Sequence, residues 1–144
     1  MKSQDYKNHT RMHPLYHYVL SLLVLGTLIA AVTNMVRAIN KGTNILQAVI
    51  LVFIMIIIII VTALVRMYAL KAQDRAIRAE ESLRYYVLTG KLPDPALTMG
   101  QIVALRFAED SEFVDLCKKA AAEGLKPADI KKAIKNWKAD HNRI

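Results

Sequence analysis

The sequence contains one cysteine, Cys117, and therefore offers neither an intrachain disulfide nor a thiolate metal site. It also lacks the nucleophile-elbow, phosphate-loop and HExxH patterns, and it has no paired catalytic carboxylates. We therefore expect a protein that is not an enzyme and binds no cofactor. With no partner for its thiol, Cys117 is expected to be a small core side chain.

Charged residues are absent between Ile45 and Val65, and at about 1.5 Å per helical residue this segment spans the roughly 30 Å hydrocarbon layer of a membrane. Residues 15–36 form a second, more polar segment that is also long enough to cross. Residues 37–44 between them are too few for anything but a tight turn. The sequence thus predicts an antiparallel two-helix transmembrane hairpin, with spans at 15–36 and 45–65 and a periplasmic or extracellular link at 37–44.

Lysine and arginine are concentrated on one side of this hairpin. Eight of them flank the outer ends of the spans, whereas only Arg37 and Lys41 lie in the link. Because cytoplasmic flanks carry the excess of positive charge, both termini are predicted to be cytoplasmic, with residues 1–14 as a tail. The net charge of +8 is then explained by attraction to a bilayer with anionic headgroups, and a nucleic-acid partner is not needed.

Glycine and proline are also absent between Val65 and Gly90, so the second span is predicted to continue as one helix over residues 66–90. A small cytoplasmic three-helix module is predicted at 98–144. Its first helix is indicated by the capping-box spacing of Thr98 and Gln101. Its last helix is predicted to begin at Pro127 and to carry Trp137 on its apolar face. The fold class is an all-α membrane protein.

Apolar residues recur along the extension of the second helix at alternating steps of three and four, the spacing of a coiled-coil stripe. The stripe contains Ala69, Ala72, Ala76, Ala79, Leu83 and Tyr86. Its alanines would let a second helix approach closely. Two interpretations follow: the stripe mediates self-association, or it packs on the C-terminal helices of the same chain.

Two further patterns suggest ligands. A helix, a turn at Gly124 and a second basic helix resemble a helix-turn-helix, in which Lys126, Lys131, Lys132 and Lys135 would contact DNA. A plain helical hairpin explains the same pattern, and the second helix lacks the side chains that suit base edges. His9, His13 and His17 have helical spacing for a metal or haem, but Pro14 interrupts the helix that would align them. No metal site is predicted, and His9 and His17 are the candidate ligands if a metal does bind.

Two motifs lie at the ends of the chain. The N-terminal motif comprises residues 4–11 with Pro14, Tyr16 and His17, and the C-terminal motif comprises residues 101–108 and 130–137. Together they resemble a family of small bacterial two-span membrane proteins of unknown function, sometimes labelled transporter permeases. The resemblance implies the inner membrane of a bacterium. It also implies interaction residues, namely Asn8, His9, Arg11, Tyr16, His17, Arg106, Phe107, Lys135 and Trp137.

These observations favour a membrane-embedded assembly protein, either a homo-oligomeric scaffold or a subunit that docks on a larger membrane complex. The alternatives are a membrane-tethered DNA-binding protein and a metal- or haem-binding subunit. Because both end motifs lie on the predicted cytoplasmic side, we expect the N-terminal tail to pack against the long second helix and the C-terminal module.

Replacement of His9 and Arg11 by alanine is expected to weaken the assembly, since both belong to the N-terminal motif that would pack on the module. The measurement is the oligomer size and the set of co-purifying proteins. Unchanged values of both would contradict this interpretation.

Overall fold

The computed structural model describes residues 5–6 and 12–140, and this part of the chain is helical, with turns, one isolated β-bridge and no strand. By their contacts these residues form two units, one of residues 12–69 and one of residues 70–140 with residues 5–6. Five α-helices follow a π-helical segment, Leu15–Leu20. They are α1 (Ser21–Lys41), α2 (Ile45–Thr89), α3 (Met99–Leu105), α4 (Asp110–Glu123) and α5 (Pro127–Ala133).

Helix α1 ends at Lys41, beyond the end of the predicted span at residue 36. Gly42 stops it in the left-handed conformation, with a φ of 65°, and its N–H bonds to the carbonyls of Ala38 and Ile39. Only residues 42–44 therefore connect the two long helices, fewer than the predicted 37–44. The difference arises because the loss of apolar residues marks the edge of a membrane span, whereas a left-handed glycine marks the end of a helix.

Helix α2 has the predicted length, because it runs without interruption from Ile45 to Thr89. Gly90 then adopts a φ of 70°, and its N–H donates to the carbonyl of Tyr86 at 2.7 Å. Together α2 and the helical segment Leu15–Lys41 are the two helices of the described chain that are long and apolar enough to cross a membrane.

In the unit of residues 12–69, Tyr16 contacts α2 at two points. Its hydroxyl donates a hydrogen bond to the carbonyl of Thr62 at 3.0 Å, and the guanidinium of Arg66 lies 5.6 Å from its ring centroid. The most buried side chains of this unit are small or flexible: Ala31, Ala38, Ala48 and Met55. Most of the large apolar side chains face outward, as expected of helices that are solvated by lipid.

The C-terminal module, residues 98–140, begins with the predicted capping box. The Thr98 hydroxyl accepts from the backbone N–H of Gln101, and the Gln101 side chain accepts from that of Thr98. The amide group of Gln101 also donates to the carbonyls of Ala120 and Leu125, at 3.1 and 2.9 Å. One buried side chain therefore ties the start of α3 to the end of α4 and to the turn that follows.

The last helix is shorter than predicted, since α5 ends at Ala133 and Ile134 is already extended. Trp137 consequently lies outside the helix and forms an antiparallel β-bridge with Ala108. The carboxylate of Glu112, on α4, accepts the backbone N–H groups of Lys135 and Asn136, the latter at 2.9 Å. These contacts satisfy backbone N–H groups that a longer helix would have bonded internally. They come from residues distant in sequence, so the apolar spacing of the segment does not indicate them.

Replacement of Gln101 by leucine should lower the free energy of unfolding by about 2 kcal/mol, because the buried carbonyl of Ala120 and the partly buried carbonyl of Leu125 lose their donor. The measurement is denaturant unfolding of the purified protein in detergent micelles. Lys119→Leu, on the exposed side of α4, is the control. Equal midpoints for the two variants would contradict the role given to Gln101.

Candidate interaction surface

Arg84 joins α2 to the C-terminal module. Its Nη2 donates to the carbonyl of Ala108 at 2.7 Å, and its Nε donates to Asp110 Oδ1 at 2.6 Å. Its Nη1 donates to Glu81 Oε2 at 3.0 Å on the preceding turn. The guanidinium also stacks on the ring of Phe113, 4.1 Å from its centroid. Charge-assisted hydrogen bonds of this kind are stronger than neutral ones. The module is therefore held tightly against this side of α2.

The apolar part of the same side completes the core of this unit. Ile77 and Tyr85 are buried, and the Tyr85 ring meets that of Phe113 edge to face at 6.2 Å. Cys117 is buried among them as predicted. Burial, aided by the negative charge of Glu81, raises the pKa of the Cys117 thiol from 9.0 to about 12, although Arg84 opposes the shift. The thiol is therefore protonated and unreactive at neutral pH.

The opposite side of α2 is open. Ala72, Ala76 and Ala79 are exposed, as are Leu83 at 63% and Tyr86 at 52% of their full surface. We call these five residues the open face. With about 100° of rotation per residue, their mean direction lies roughly 180° from that of Ile77, Glu81, Arg84 and Tyr85. Ala69, the remaining member of the predicted stripe, belongs to the other unit and is half-buried.

The interpretation that the stripe packs on the C-terminal helices of its own chain is therefore wrong. The module uses Ile77, Arg84 and Tyr85 instead. The physical reason is that these larger side chains bury more apolar surface and supply more hydrogen bonds than alanines do. Self-association through the open face stays a prediction.

Three of the C-terminal residues picked out by the resemblance lie together. The rings of Phe107 and Trp137 are 5.2 Å apart, and the guanidinium of Arg106 lies 4.8 Å from the Phe107 ring centroid. Arg106 is buried and pairs with Asp140 at 3.3 Å. The backbone N–H of Lys138 donates to the Phe107 carbonyl at 2.7 Å. This bond holds the C-terminal end of the described chain against the segment that follows α3. All three side chains thus have structural contacts within their own unit.

The second helix of the proposed helix-turn-helix is shorter than that interpretation requires. Gly124 ends α4 in the left-handed conformation, with a φ of 60°, but α5 has only seven residues. Lys126 precedes α5 as its N-cap, and Lys135 follows its end, so neither lies on the helix that would read DNA. DNA binding was not tested by these contacts and stays a prediction.

At the other end of the chain, Asn8, His9 and Arg11 lie outside the described residues. His13 precedes the helix, in agreement with the interruption expected at Pro14, and its carbonyl is 3.1 Å from Nδ1 of His17. The Tyr16 and His17 rings meet edge to face at 5.3 Å. Within residues 5–6 and 12–140, no group of three or more His, Cys, Asp or Glu side chains is arranged to hold a metal ion.

Tyr6, in the N-terminal tail, reaches the module. The ammonium group of Lys132, on α5, lies 5.9 Å from the ring centroid of Tyr6. Such a cation–π contact is worth about 0.5–1 kcal/mol at an exposed site. Residues 1–4 and 7–11 of the tail lie outside the described part of the chain, so packing of the tail on the long helix and the module stays a prediction.

Sequence reasoning missed the residues that connect α2 to the module. No role was assigned to Arg84, Glu81 or Asp110 from the sequence. The partners Ala108 and Asp110 are 24 and 26 positions away from Arg84, and no helical period links such positions. One sequence signal pointed to these contacts. The unbroken helix to Thr89 is followed by a short connection, so the next helices must fold back alongside α2.

Replacement of Arg84 by methionine should loosen the module, because its two charge-assisted bonds to the module and its stacking on Phe113 are lost. We expect a loss of about 2–3 kcal/mol in unfolding free energy and faster proteolysis of residues 90–98. Arg78→Met, on an exposed position of the same helix, is the control. Identical cleavage rates in the two variants would contradict this role.

The model of a family described as a family of unknown function (DUF6526) matches residues 1–144, the whole chain. No curated protein and no solved structure is significantly similar. The match confirms the resemblance to an uncharacterised family, although it assigns no activity. The chain belongs to this family of unknown function.

Proposed function

We propose that this protein is a non-enzymatic assembly protein of the bacterial inner membrane, which uses the open face of α2 to bind another membrane-anchored chain. The observation that carries the proposal is the exposure of Leu83 and Tyr86 on the side of α2 opposite the module. Large apolar side chains at helical spacing, outside the charge-free segment, favour an interface between helices.

The membrane arrangement is the first part of this proposal. Helices α1 and α2 would form an antiparallel transmembrane hairpin with spans at 15–36 and 45–65. Two contacts between Tyr16 and α2 support it, as does the three-residue turn at 42–44. The excess of Lys and Arg at the outer ends of the spans supports a cytoplasmic location for both termini. Those positive charges would also bind anionic headgroups.

The second part is the role of the module. Residues 98–140 would lie in the cytoplasm as a three-helix unit that stiffens α2 beyond the membrane. The Arg84 contacts support this role, because they hold the module to one side of the helix and leave the other side free. Such a protein serves as a scaffold if its partner is the same chain, and as an accessory subunit if its partner is another membrane protein.

Light scattering of the protein purified in detergent tests the proposal. We expect a protein mass above the 16.2 kDa of one chain, because a partner covers the open face. Leu83→Gln should lower that mass toward one chain, since it places a polar group in the interface. Arg78→Gln, outside the open face, should leave it unchanged.

A wild-type protein that is monomeric and carries no second polypeptide would contradict the proposed function. So would a Leu83→Gln variant with the wild-type mass.

A further inference from the structure

We propose that the partner on the open face is a second copy of this chain, aligned parallel to the first, with Arg75 of each copy paired to Glu80 of the other. This inference rests on the proposed function and names its partner. It depends on the charges that border the open face, which the proposed function does not use.

The side chains in the apolar part of the interface become larger along α2. Ala72, Ala76 and Ala79 would let two helix backbones come close together. One to two turns further on, Leu83 and Tyr86 would supply most of the buried apolar area, with Val87 beside them at 75% exposure. These three large side chains lie in the same unit as the module, but the module leaves them exposed.

The heptad positions follow from the step pattern. Ala76 and Leu83 occupy position a, and Ala72, Ala79 and Tyr86 occupy position d, so Arg75 is a g residue and Glu80 is the e residue of the next heptad. In a parallel two-stranded coiled coil, a g residue faces the e residue of the following heptad on the other helix. Arg75 of one copy would therefore face Glu80 of the other, twice by symmetry.

Both charged side chains are available for this pairing. Arg75 and Glu80 are exposed, on opposite borders of the open face, and neither forms an ion pair with any residue in the described part of the chain. The arrangement is self-complementary, because one border carries a positive charge and the other a negative charge at the g-to-e offset that a parallel pair brings together. A second copy fits such a surface without any change.

The membrane selects the parallel orientation. Two copies inserted with the same topology must have their helices pointing the same way. An antiparallel pair would instead place g against g and e against e, so Arg75 of one copy would not face Glu80 of the other. Confinement of both copies to one bilayer also raises their effective concentration, which a short interface with many alanines needs.

Cysteine cross-linking of the full chain in membranes tests the geometry. Ala76→Cys and Ala79→Cys, at positions a and d, should give disulfide-linked dimers on mild oxidation. Arg78→Cys, which lies away from the axis of the dimer, should not. The native Cys117 should stay silent in every sample, because its thiol is buried and protonated.

Charge reversal tests the register. Arg75→Glu alone and Glu80→Arg alone should each weaken dimerisation about tenfold in lipid dilution, because two attractive pairs become repulsive. A one-to-one mixture of the two variants should restore wild-type association, since both pairs of the mixed dimer are again opposite in charge. Rescue on mixing cannot come from a contact within one chain.

Each other result has a distinct meaning. Cross-links without rescue on mixing would overturn the Arg75–Glu80 register. A complex that contains another protein, with no self-cross-link at Ala76 or Ala79, would overturn the second copy as partner and leave the proposed function standing. A monomer with no bound polypeptide would overturn both.

Discussion

The attachment of the C-terminal module to one side of α2 is the constraint on which the rest of the structure depends, and Arg84 provides its polar part. The guanidinium lies between the ring of Phe113, the carboxylate of Asp110 and the carbonyl of Ala108. Its aliphatic stem and planar head let one side chain combine apolar packing with hydrogen bonding in fixed directions. Because this contact decides which side of α2 is covered, it also decides which side remains for a partner.

The long helix and its limits could be predicted from the sequence because the relevant signals are local. Gly90 and the lack of breakers before it determine the end of α2, and the Thr98–Gln101 spacing determines the start of α3. The end of α5 could not be predicted in this way. Its apolar spacing continues to Trp137, but a carboxylate from α4 and the bridge to Ala108 hold that segment extended. Contacts between distant residues overrode the local preference.

The same division applies to the candidate surface. Heptad spacing identified Ala72, Ala76, Ala79, Leu83 and Tyr86, but spacing alone left open whether the module would cover them. That question depends on the direction in which the chain returns after Gly90, and on side chains such as Ile77 and Tyr85 that compete for the module. When one helix carries two apolar stripes, residue spacing does not show which of them is buried. Only the packing of the larger side chains distinguishes the two stripes. The resemblance identified Arg106, Phe107 and Trp137 as a group without indicating that they contact one another.

The link between α1 and α2 has only three residues, 42–44. Gly42 and Asn44 both have positive φ, at 65° and 58°, so the turn is compact and conformationally restricted. In the proposed topology, this turn and the adjoining helix ends are all that the far side of the membrane would present. A ligand or partner arriving from that side would find few side chains to recognise. In that topology, a binding partner would contact the cytoplasmic half of the chain or the lipid-facing surfaces of its spans.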